Sequence, residues 1–409
     1  MTGTPTEPRA VPIPVDREHP LEPPADLLRL LHDEPLARLV FPDDQVGWLV
    51  TRYADARTVL ADTRFSSRGD LIAAGTDLDE TEEPEEPEQV PGFFISMDPP
   101  RHTRCRKALT GMFTARRIRT LTRRIEEVVD EHLDAIAAAG PPADLIESFA
   151  LPIPLFVICE LLGVPYDDRD EFHQRTAAMT DLSLPEEDGA RAHAELVTYL
   201  ESLVRARRER RGADILSDLV GAEPPGGPLT DAEIAGIGSM LLNAGYETTM
   251  GSLGLALAAL LSDTDQLAAL RAGLDEPGVA ERAVEELLRY LTILHLGIPR
   301  VATEELEIAG TRIRPGERLL VSVAAANRDP ERFADPGRLD VTAANRTHIA
   351  FGHGPHQCLG QELARIELRV ALVRLLRRFP GLALAVRLDE LPMRTETLLY
   401  GVDSLPVVW

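Results

Sequence analysis

Apolar positions recur about every 3.6 residues from about Ala115 to Leu270, and this period predicts a succession of helices. The longest apolar run extends from Ile234 to Leu261. Thr230 and Glu233 precede it with the spacing of a capping box, which predicts that a helix begins there. Glu247 interrupts the run, and neither uncharged half reaches the roughly 18 residues that a membrane span needs. We therefore expect a long, buried core helix and no membrane insertion.

A different pattern follows from Leu306 to Val323, where apolar and polar residues alternate around Pro315-Gly316. Alternation with a proline–glycine turn predicts strands and a hairpin. The predicted fold class is therefore mainly α with small β-sheets (α+β). No linker or internal repeat divides residues 31–409, so we expect one domain there, preceded by a flexible, proline-rich arm over residues 1–30.

The most biased segment, DLDETEEPEEPEQVPG, runs from Asp77 to Gly92 and is rich in glutamate and proline. Such a composition cannot bury a core, so we expect a mobile loop. Two roles stay open for it with equal weight, a solvated surface loop and a lid over a pocket, because the apolar residues FFISM follow directly.

Charge and cysteine usage narrow the class of protein. The net charge of -24 argues against nucleic-acid binding. The three cysteines, Cys105, Cys159 and Cys358, form no CxxC pair, which favours a reducing compartment over a disulfide scaffold. The N-terminal residues lack an apolar signal core, so we expect a cytoplasmic protein.

Cys358 lies in the glycine-rich stretch FGHGPHQCLG, directly before residues 359–369, which are predicted to be helical. Unpaired N–H groups at a helix N-terminus would favour a thiolate there. Gly354 and Gly360 permit close approach of the backbone or passage of a flat ligand. Phe351 offers an aromatic face beside the sulfur.

Three chemistries are considered for this thiol. Zinc would need four clustered ligands, and only His353 and His356 are near. A single thiolate suits an iron that already has four nitrogen ligands, as in haem. A nucleophilic cysteine with His353 or His356 as its base remains the competing chemistry.

The motif F-x-x-G-x-x-x-C-x-G, carried by Phe351, Gly354, Cys358 and Gly360, resembles the haem-thiolate loop of the cytochrome P450 family. The resemblance extends from about Trp48 to Trp409. It implies the cytochrome P450 fold with the long helix over the haem, haem b (iron protoporphyrin IX) as cofactor, and Cys358 as the ligand of the iron. It also places Gly352 and Ala244 against the cofactor.

The stretch NAGYETT, Asn243 to Thr249, falls in the middle of the long apolar helix. A carboxylate there is costly unless it is hydrated or paired, so one interpretation is a hydrogen-bonded core glutamate. The stretch also resembles the acid–alcohol pair of the family, which implies that Glu247 and Thr248 deliver protons. Tyr246 stands where many members carry histidine.

Two further sets of residues resemble family features. Glu286 and Arg289 lie three residues apart on one helix face and can pair. The resemblance implies a structural ion pair, completed here by Arg338. It also implies four residues that bind the haem propionates, for which arginine and histidine are suitable partners: His102, Arg106, Arg300 and His356.

The resemblance implies a monooxygenase of the soluble bacterial type, which inserts one oxygen atom from O2 into a mostly apolar small molecule. Electrons would come from a ferredoxin and its ferredoxin reductase, with Arg104 and Arg365 as docking candidates. A polyketide, macrolide or terpenoid is the expected substrate class. The expected substrate contacts are Phe93, Phe94, Met240, Asn243, Leu296, Ile298 and Leu398. Peroxide-driven oxidation or oxidative coupling, and a non-catalytic haem sensor, stay open as alternatives.

Overall fold

A computed structural model describes residues 10–74, 91–165, 168–180, 183–343 and 347–409. Helices carry most of these residues, and short strands the remainder of the regular structure. The helices are α1 (Ala25–Asp33), α2 (Tyr53–Ala61), α3 (Gly69–Ala74), α4 (Arg101–Thr110), α5 (Ala115–Ala139), α6 (Pro152–Leu162), α7 (Arg169–Thr180), α8 (Glu186–Glu209), α9 (Ile215–Val220), α10 (Asp231–Ser262), α11 (Thr264–Ala272), α12 (Val279–Tyr290), α13 (Val323–Ala326) and α14 (Gln361–Arg378). Most of the acidic segment from Asp77 to Gly92 lies outside the described residues.

Helix α10 is the central element of the fold and packs against α6, α8 and α14. It begins with the predicted capping box: Thr230 N donates to Glu233 Oε2 at 2.8 Å, and Glu233 N donates to Thr230 Oγ1 at 3.2 Å. Nearly all of its side chains between Ile234 and Leu261 are buried, as predicted. Among the described residues, no single helix is long and apolar enough to cross a membrane. Of the helices that the structure describes, only α10 and α11 taken together pass by length and composition, and a bend of 103° separates them.

The strands form small sheets beside the helices. They are β1 (Val11–Pro12), β2 (Leu36–Val40), β3 (Val46–Val50), β4 (Phe65–Ser66), β5 (Ala143–Asp144), β6 (Ile298–Ala302), β7 (Leu306–Ile308), β8 (Thr311–Ile313), β9 (Arg318–Val321), β10 (Ala383–Leu384), β11 (Met393–Arg394), β12 (Gly401–Val402) and β13 (Pro406–Val408). The largest sheet has the order β1-β2-β3-β9-β6-β4, with β9 parallel to β3 and antiparallel to β6. The predicted mainly α fold with small sheets is confirmed.

The predicted hairpin between Leu306 and Val323 exists, but its turn is not at Pro315-Gly316. Strands β7 and β8 pair around Ala309 and Gly310, both of which have positive φ (50° and 77°). Two consecutive residues of this conformation make the tight turn that matches the twist of paired strands. Pro315-Gly316 instead carries the chain from β8 to β9 in the large sheet.

The prediction of a flexible arm over residues 1–30 does not hold for residues 10–30; residues 1–9 lie outside the described part. Strand β1 pairs in parallel with β2, and α1 buries three leucines. The Arg17 guanidinium lies 3.8 Å from the ring centroid of Tyr400. The Glu22 carboxylate accepts hydrogen bonds from Tyr290 and Arg328. These contacts fix the segment to the rest of the fold.

Candidate active site

The cysteine loop, residues 351–360, is shaped by two glycines and one main-chain hydrogen bond. Gly352 and Gly354 have φ of 70° and 74°, a conformation that favours glycine. A Cβ at Gly354 would also lie 2.4 Å from the carbonyl oxygen of Leu60 in α2. The amide of Cys358 donates to the Phe351 carbonyl at 2.8 Å, which turns the loop back on itself. A Cβ at Gly360 would meet nothing within 4 Å.

Burial outweighs the expected helix effect at Cys358. Helix α14 begins at Gln361 with Gly360 as its N-cap, so the thiol precedes the helix instead of lying in its first turn. Burial raises the pKa of the Cys358 thiol, against the smaller opposite effects of the Gly360 amide, Arg106 and Arg365. The Gly360 amide thus favours the thiolate in the expected direction, but burial has the larger, opposite effect. A cation bound directly to the sulfur is what deprotonates such a thiol.

The two histidines of the cysteine loop contact an arginine and another histidine. His353 Nε2 lies 3.4 Å from the Arg57 guanidinium. The His356 ring packs on the His102 ring, with centroids 4.0 Å apart and planes inclined by 36°. Among the described residues, no three His, Cys, Asp or Glu side chains come together as a metal cluster.

All four predicted propionate partners contribute to one cationic cluster beside the cysteine loop. Arg106 donates to the Gln357 carbonyl, and Arg300 is only 6% exposed. Both ring nitrogens of His102 are buried without a hydrogen-bond partner. Burial, and then the charges of its cationic neighbours, lower the pKa of His102 to about 4. Burial, followed by His102, Arg300 and Arg106, lowers the pKa of His356 to about 3.

This cluster has the properties of an anion site. Burial lowers the pKa of Arg300 to about 10, and Asp98 opposes the shift. The Asp98 carboxylate already accepts hydrogen bonds from Ser66 and Ser67. Buried donors that repel one another are expected where an anionic ligand completes the site. The two carboxylates of haem b fit this donor set, and Cys358 fits its iron.

Glu285 supports the cysteine loop from α12. Its carboxylate accepts hydrogen bonds from Arg365 Nε at 2.6 Å and from His348 Nε2 at 3.1 Å. Burial by itself would raise the pKa of Glu285, but these partners lower it to about 2. The Arg365 guanidinium also lies 4.5 Å from the ring centroid of Phe351. The pair therefore holds the aromatic side chain at the start of the loop.

Arg365 and Arg104, the predicted docking arginines, are both engaged in internal contacts. Arg104 binds Glu233 at the start of α10 and donates to the carbonyl of Pro228 at 2.8 Å. Arg365 binds Glu285, and only 25% of its side chain is exposed. Both charges are therefore neutralised within the chain, which makes these arginines less suited to dock an acidic ferredoxin than the sequence suggested.

Glu286 and Arg289 form the predicted ion pair. Arg289 also donates to the carbonyls of Asn327, Pro336 and Arg338, each at 3.0 Å. Arg338 therefore contributes its carbonyl, whereas its side chain is exposed; the prediction that its guanidinium completes the pair is wrong. The guanidinium has five donors, and main-chain oxygens satisfy those that the carboxylate leaves.

The middle of α10 presents small and polar residues. Thr248 Oγ1 donates to the Ala244 carbonyl at 2.8 Å, and Ala244 itself is exposed. Glu247 is 1% exposed, and its Oε1 lies 3.5 Å from the hydroxyl of Tyr246. Consecutive helical residues point about 100° apart. The acid and the alcohol of the predicted pair are thus on the same turn but make their contacts in different directions.

The predicted substrate residues separate into two groups. Phe94 and Met240 are 4% and 6% exposed and pack in the core, so they have little surface left for a ligand. Phe94 lies against His102, with ring centroids 5.9 Å apart. The others retain accessible surface, and Leu398 is 44% exposed. These are Phe93, Asn243, Leu296, Ile298 and Leu398.

Main-chain contacts bring the distant members of that second group together. Leu294 and Leu399 form an isolated bridge, and the Tyr400 amide donates to the Ile293 carbonyl at 2.8 Å. The segments that carry Leu296 and Leu398 are therefore neighbours.

The loop before α4 is anchored on α10 by glycines. A Cβ at Gly92 would lie 2.0 Å from the Glu233 carbonyl oxygen, and one at Gly236 would lie 1.7 Å from the Pro91 carbonyl oxygen. Only glycine permits main chains to approach this closely. The anchor fixes the position of the chain directly before Phe93.

Comparison with known proteins gives the family. The Cytochrome P450 family model matches residues 186–398. Cytochrome P450 105C1 of a Streptomyces species is 47% identical over 393 residues, covering 96% of this chain and 97% of that protein. The chain belongs to the cytochrome P450 family. Pentalenic acid synthase of Streptomyces avermitilis is 42% identical over 400 residues, covering 98% of this chain and 97% of that P450.

Solved P450 structures have the same fold. CYP105P1 in its complex with filipin I matches with a TM-score of 0.90 at 39% identity, covering 98% of this chain and 99% of that chain. The P450 family and fold bind haem b. The resemblance inferred from the cysteine loop is confirmed, and the nucleophilic-cysteine alternative is overturned. The protein is an oxidoreductase of the P450 family.

Several side chains near the P450 site were missed by the sequence reasoning. His193 of α8 faces Phe93, with ring centroids 5.6 Å apart, and its Nε2 is buried without a hydrogen-bond partner. Met179 of α7 contacts Asn243 through its sulfur at 3.9 Å. Helices α7 and α8 are remote in sequence from these partners, and no spacing pattern links them.

Proposed function

We propose that this P450 is a monooxygenase that inserts one oxygen atom from O2 into a mostly apolar secondary metabolite. The observation that carries the proposal is the buried, mutually repelling cluster of His102, Arg106, Arg300 and His356 beside Cys358. Such a cluster suits a dianionic cofactor with a thiolate-bound metal. When bound, haem b supplies the activation of O2 and the transfer of one oxygen atom.

Each of these residues would have a defined task toward the cofactor. Cys358 would bind the iron through its sulfur, and the two arginines and two histidines of the cluster would bind the propionates. Phe351, Gly352 and Gly360 would border the cofactor on the side of the thiolate. Ala244 would border it on the side of α10, where its small side chain leaves room for O2.

Proton supply would fall to α10. Glu247 would accept protons from outside the pocket, and the Thr248 hydroxyl would hold a proton donor beside the cofactor. Delivery of protons to a reacting oxygen is general acid catalysis. The 2.8 Å bond from Thr248 to Ala244 supports this role, because it holds the hydroxyl on the side of the helix where Ala244 is exposed.

Electrons would come from a ferredoxin and its ferredoxin reductase. A surface depression of about 550 Å³ beside the cysteine loop supports this proposal. Phe351, Gln357 and the exposed Arg119 border it. Arg119→Glu should slow reduction by an acidic ferredoxin and leave substrate affinity unchanged, whereas Arg29→Glu on α1 should change neither reduction nor affinity. Equal loss in both variants, or none in either, would contradict this docking surface.

The substrate would be a polyketide, macrolide or terpenoid. Pentalenic acid synthase and the filipin complex of CYP105P1 support this class by their names. Phe93, Leu296, Ile298 and Leu398 would supply apolar surface. Asn243 and the missed His193 would supply polar contacts to oxygen atoms of an otherwise apolar ligand. The three free thiols support a cytoplasmic location.

The experiment that tests the proposal is a difference spectrum of the reduced protein with carbon monoxide, followed by turnover with ferredoxin, reductase and NADPH. A haem-thiolate spectrum and an oxygenated product are expected for the wild type, and Cys358→Ser should lose the thiolate signature. Turnover with peroxide alone would favour the peroxide-driven alternative. Ligand-dependent partner binding without turnover would favour a haem sensor.

A further inference from the structure

Tyr246 joins a buried carboxylate of α10 to the neighbouring helix α7. Its side chain is 0% exposed in the middle of α10. Its Oη lies 3.2 Å from Nδ1 of His173 in α7 and 3.5 Å from Oε1 of Glu247. The Tyr246 and His173 rings meet edge to face, with centroids 5.8 Å apart and an angle of 76°. His173, Tyr246 and Glu247 therefore form a chain of three contacting groups, each of which can bind and release a proton.

The surroundings of Tyr246 keep its hydroxyl protonated. Burial, and then the charge of Glu247, raise the pKa of Tyr246 well above its ordinary value. A neutral hydroxyl can accept one proton while it donates another, so it passes protons without ionising. His173 is only half-buried, so solvent can reach its ring, and an imidazole can bind a proton at either of its two nitrogens.

We propose that His173 and Tyr246 form the outer half of the proton route that ends at Glu247. The proposal rests on the function proposed above, and it adds two residues that act through Glu247 without touching the reacting atoms. The hydroxyl also contacts the Thr176 side chain and the His173 carbonyl, so α7 satisfies it in the core. A phenyl ring would fill the same space without the cost of burying a polar group, but it would break the contact between His173 and Glu247.

The proton count balances at every atom. A solvent proton binds Nε2 of His173, and the proton on Nδ1 moves to Oη of Tyr246. The original hydroxyl proton of Tyr246 moves at the same time to Oε1 of Glu247. Tyr246 ends neutral and Glu247 ends protonated. His173 returns to its starting tautomer by exchange with solvent.

The test uses the holoenzyme with matched tyrosine variants. Tyr246→Phe keeps the ring and removes the hydroxyl. Tyr199→Phe is the control: Tyr199 of α8 donates its hydroxyl to Asp168, just before α7, away from α10. Tyr246→His restores a group that both donates and accepts protons. Three quantities are compared for all variants: product formed per NADPH, the solvent deuterium isotope effect on turnover, and substrate affinity.

Tyr246→Phe should lower product per NADPH by about tenfold, which is less than the 10²–10⁴ of direct general acid catalysis because the residue acts one step away. It should also raise the isotope effect and leave substrate affinity unchanged. Tyr246→His should recover at least half of the coupling. Tyr199→Phe should match the wild type. Unchanged coupling in Tyr246→Phe, or an equal loss in Tyr199→Phe, would overturn the proposal.

A spectroscopic measurement tests the contact without turnover. In the reduced, carbon-monoxide-bound protein, the ¹⁵N signals of the His173 ring are identified by their loss in His173→Gln. Tyr246→Phe should shift the Nδ1 signal, and Tyr199→Phe should not; the absence of a shift overturns the relay. Thr248→Ala distinguishes a failure of the relay from a failure of the proposed proton supply. If Thr248→Ala uncouples oxygen use and Tyr246→Phe does not, only the relay fails; if neither does, the proposed proton supply fails as well.

Discussion

Arg289 and Glu286 form a bidentate ion pair with N–O distances of 2.7 and 2.8 Å, and only 3% of either side chain is exposed. The pair also fixes the segment that leads to the cysteine loop. The Asp340 amide donates to Glu286 at 3.1 Å, and three carbonyls from the chain between α13 and that amide accept from Arg289. One pair in α12 thus organises a stretch with little regular structure of its own.

Removal of the Arg289 guanidinium is expected to destabilise the fold strongly. Arg289→Met leaves the Glu286 carboxylate buried and three carbonyls without a donor, so the free energy of unfolding should fall by about 3–5 kcal/mol. Urea unfolding measures this change. Arg312→Met is the control, because the exposed pair of Arg312 with Glu305 should contribute no more than about 1 kcal/mol. Similar losses in both variants would contradict the role of the pair.

Glu285 should make stability depend on acid pH. Its folded pKa of about 2 lies below the ordinary 4.5, so its charged form stabilises the fold above pH 4.5. That contribution, about 3 kcal/mol at pH 7, should be lost as the pH falls from 4.5 toward 2. The difference in unfolding free energy between wild type and Glu285→Gln should therefore narrow between pH 5 and pH 3. A difference that stays constant over this interval would refute the assignment.

Loss of one charge from the cationic cluster should weaken haem binding but should not destabilise the haem-free protein. Arg300→Met removes one charge-assisted contact of about 1.5–3 kcal/mol, so haem loss to apomyoglobin should be about tenfold to a hundredfold faster. The same change removes a guanidinium that is costly to bury, so the haem-free protein should not lose stability. Arg38→Met on β2, away from the site, should leave haem loss unchanged. Slower haem loss in Arg300→Met would contradict the propionate assignment.

Thr248→Ala should separate oxygen consumption from product formation. Oxygen use should continue, while product per O2 falls by about tenfold or more because proton delivery is disturbed. Thr249→Ala is a closely matched control: its hydroxyl makes the same kind of bond, to the Gly245 carbonyl at 3.4 Å, but it is 4% exposed and lies on another side of the helix. Equal coupling in the two variants would argue against a special role for Thr248.

Local patterns predicted the framework of this P450 well. The capping box at Thr230 and the apolar run after it gave α10, since both depend on residues close in sequence. The cysteine loop was recognisable because its glycines are required by backbone conformation, as Gly354 demonstrates. The spacing of Glu286 and Arg289 likewise predicted a contact within one helix.

Contacts between distant segments were not predictable in the same way. The carbonyl of Arg338 binds Arg289, and a sequence does not reveal when a main-chain atom replaces a side chain. The pKa of Cys358 depends on burial, which no local pattern gives. Tyr246 and His173 are 73 residues apart, and their contact exists only because α7 crosses α10.

The contact of Gly92 with α10 fixes the path of the main chain, whereas the residues after Gly92 supply the side chains. The contact is made by main-chain atoms, so it does not depend on which side chains follow Gly92. The side chain of Phe93 is therefore free to change while the position of its main chain stays fixed. A point mutation at Phe93 can therefore change the proposed ligand contact without altering the main-chain contact that positions this loop.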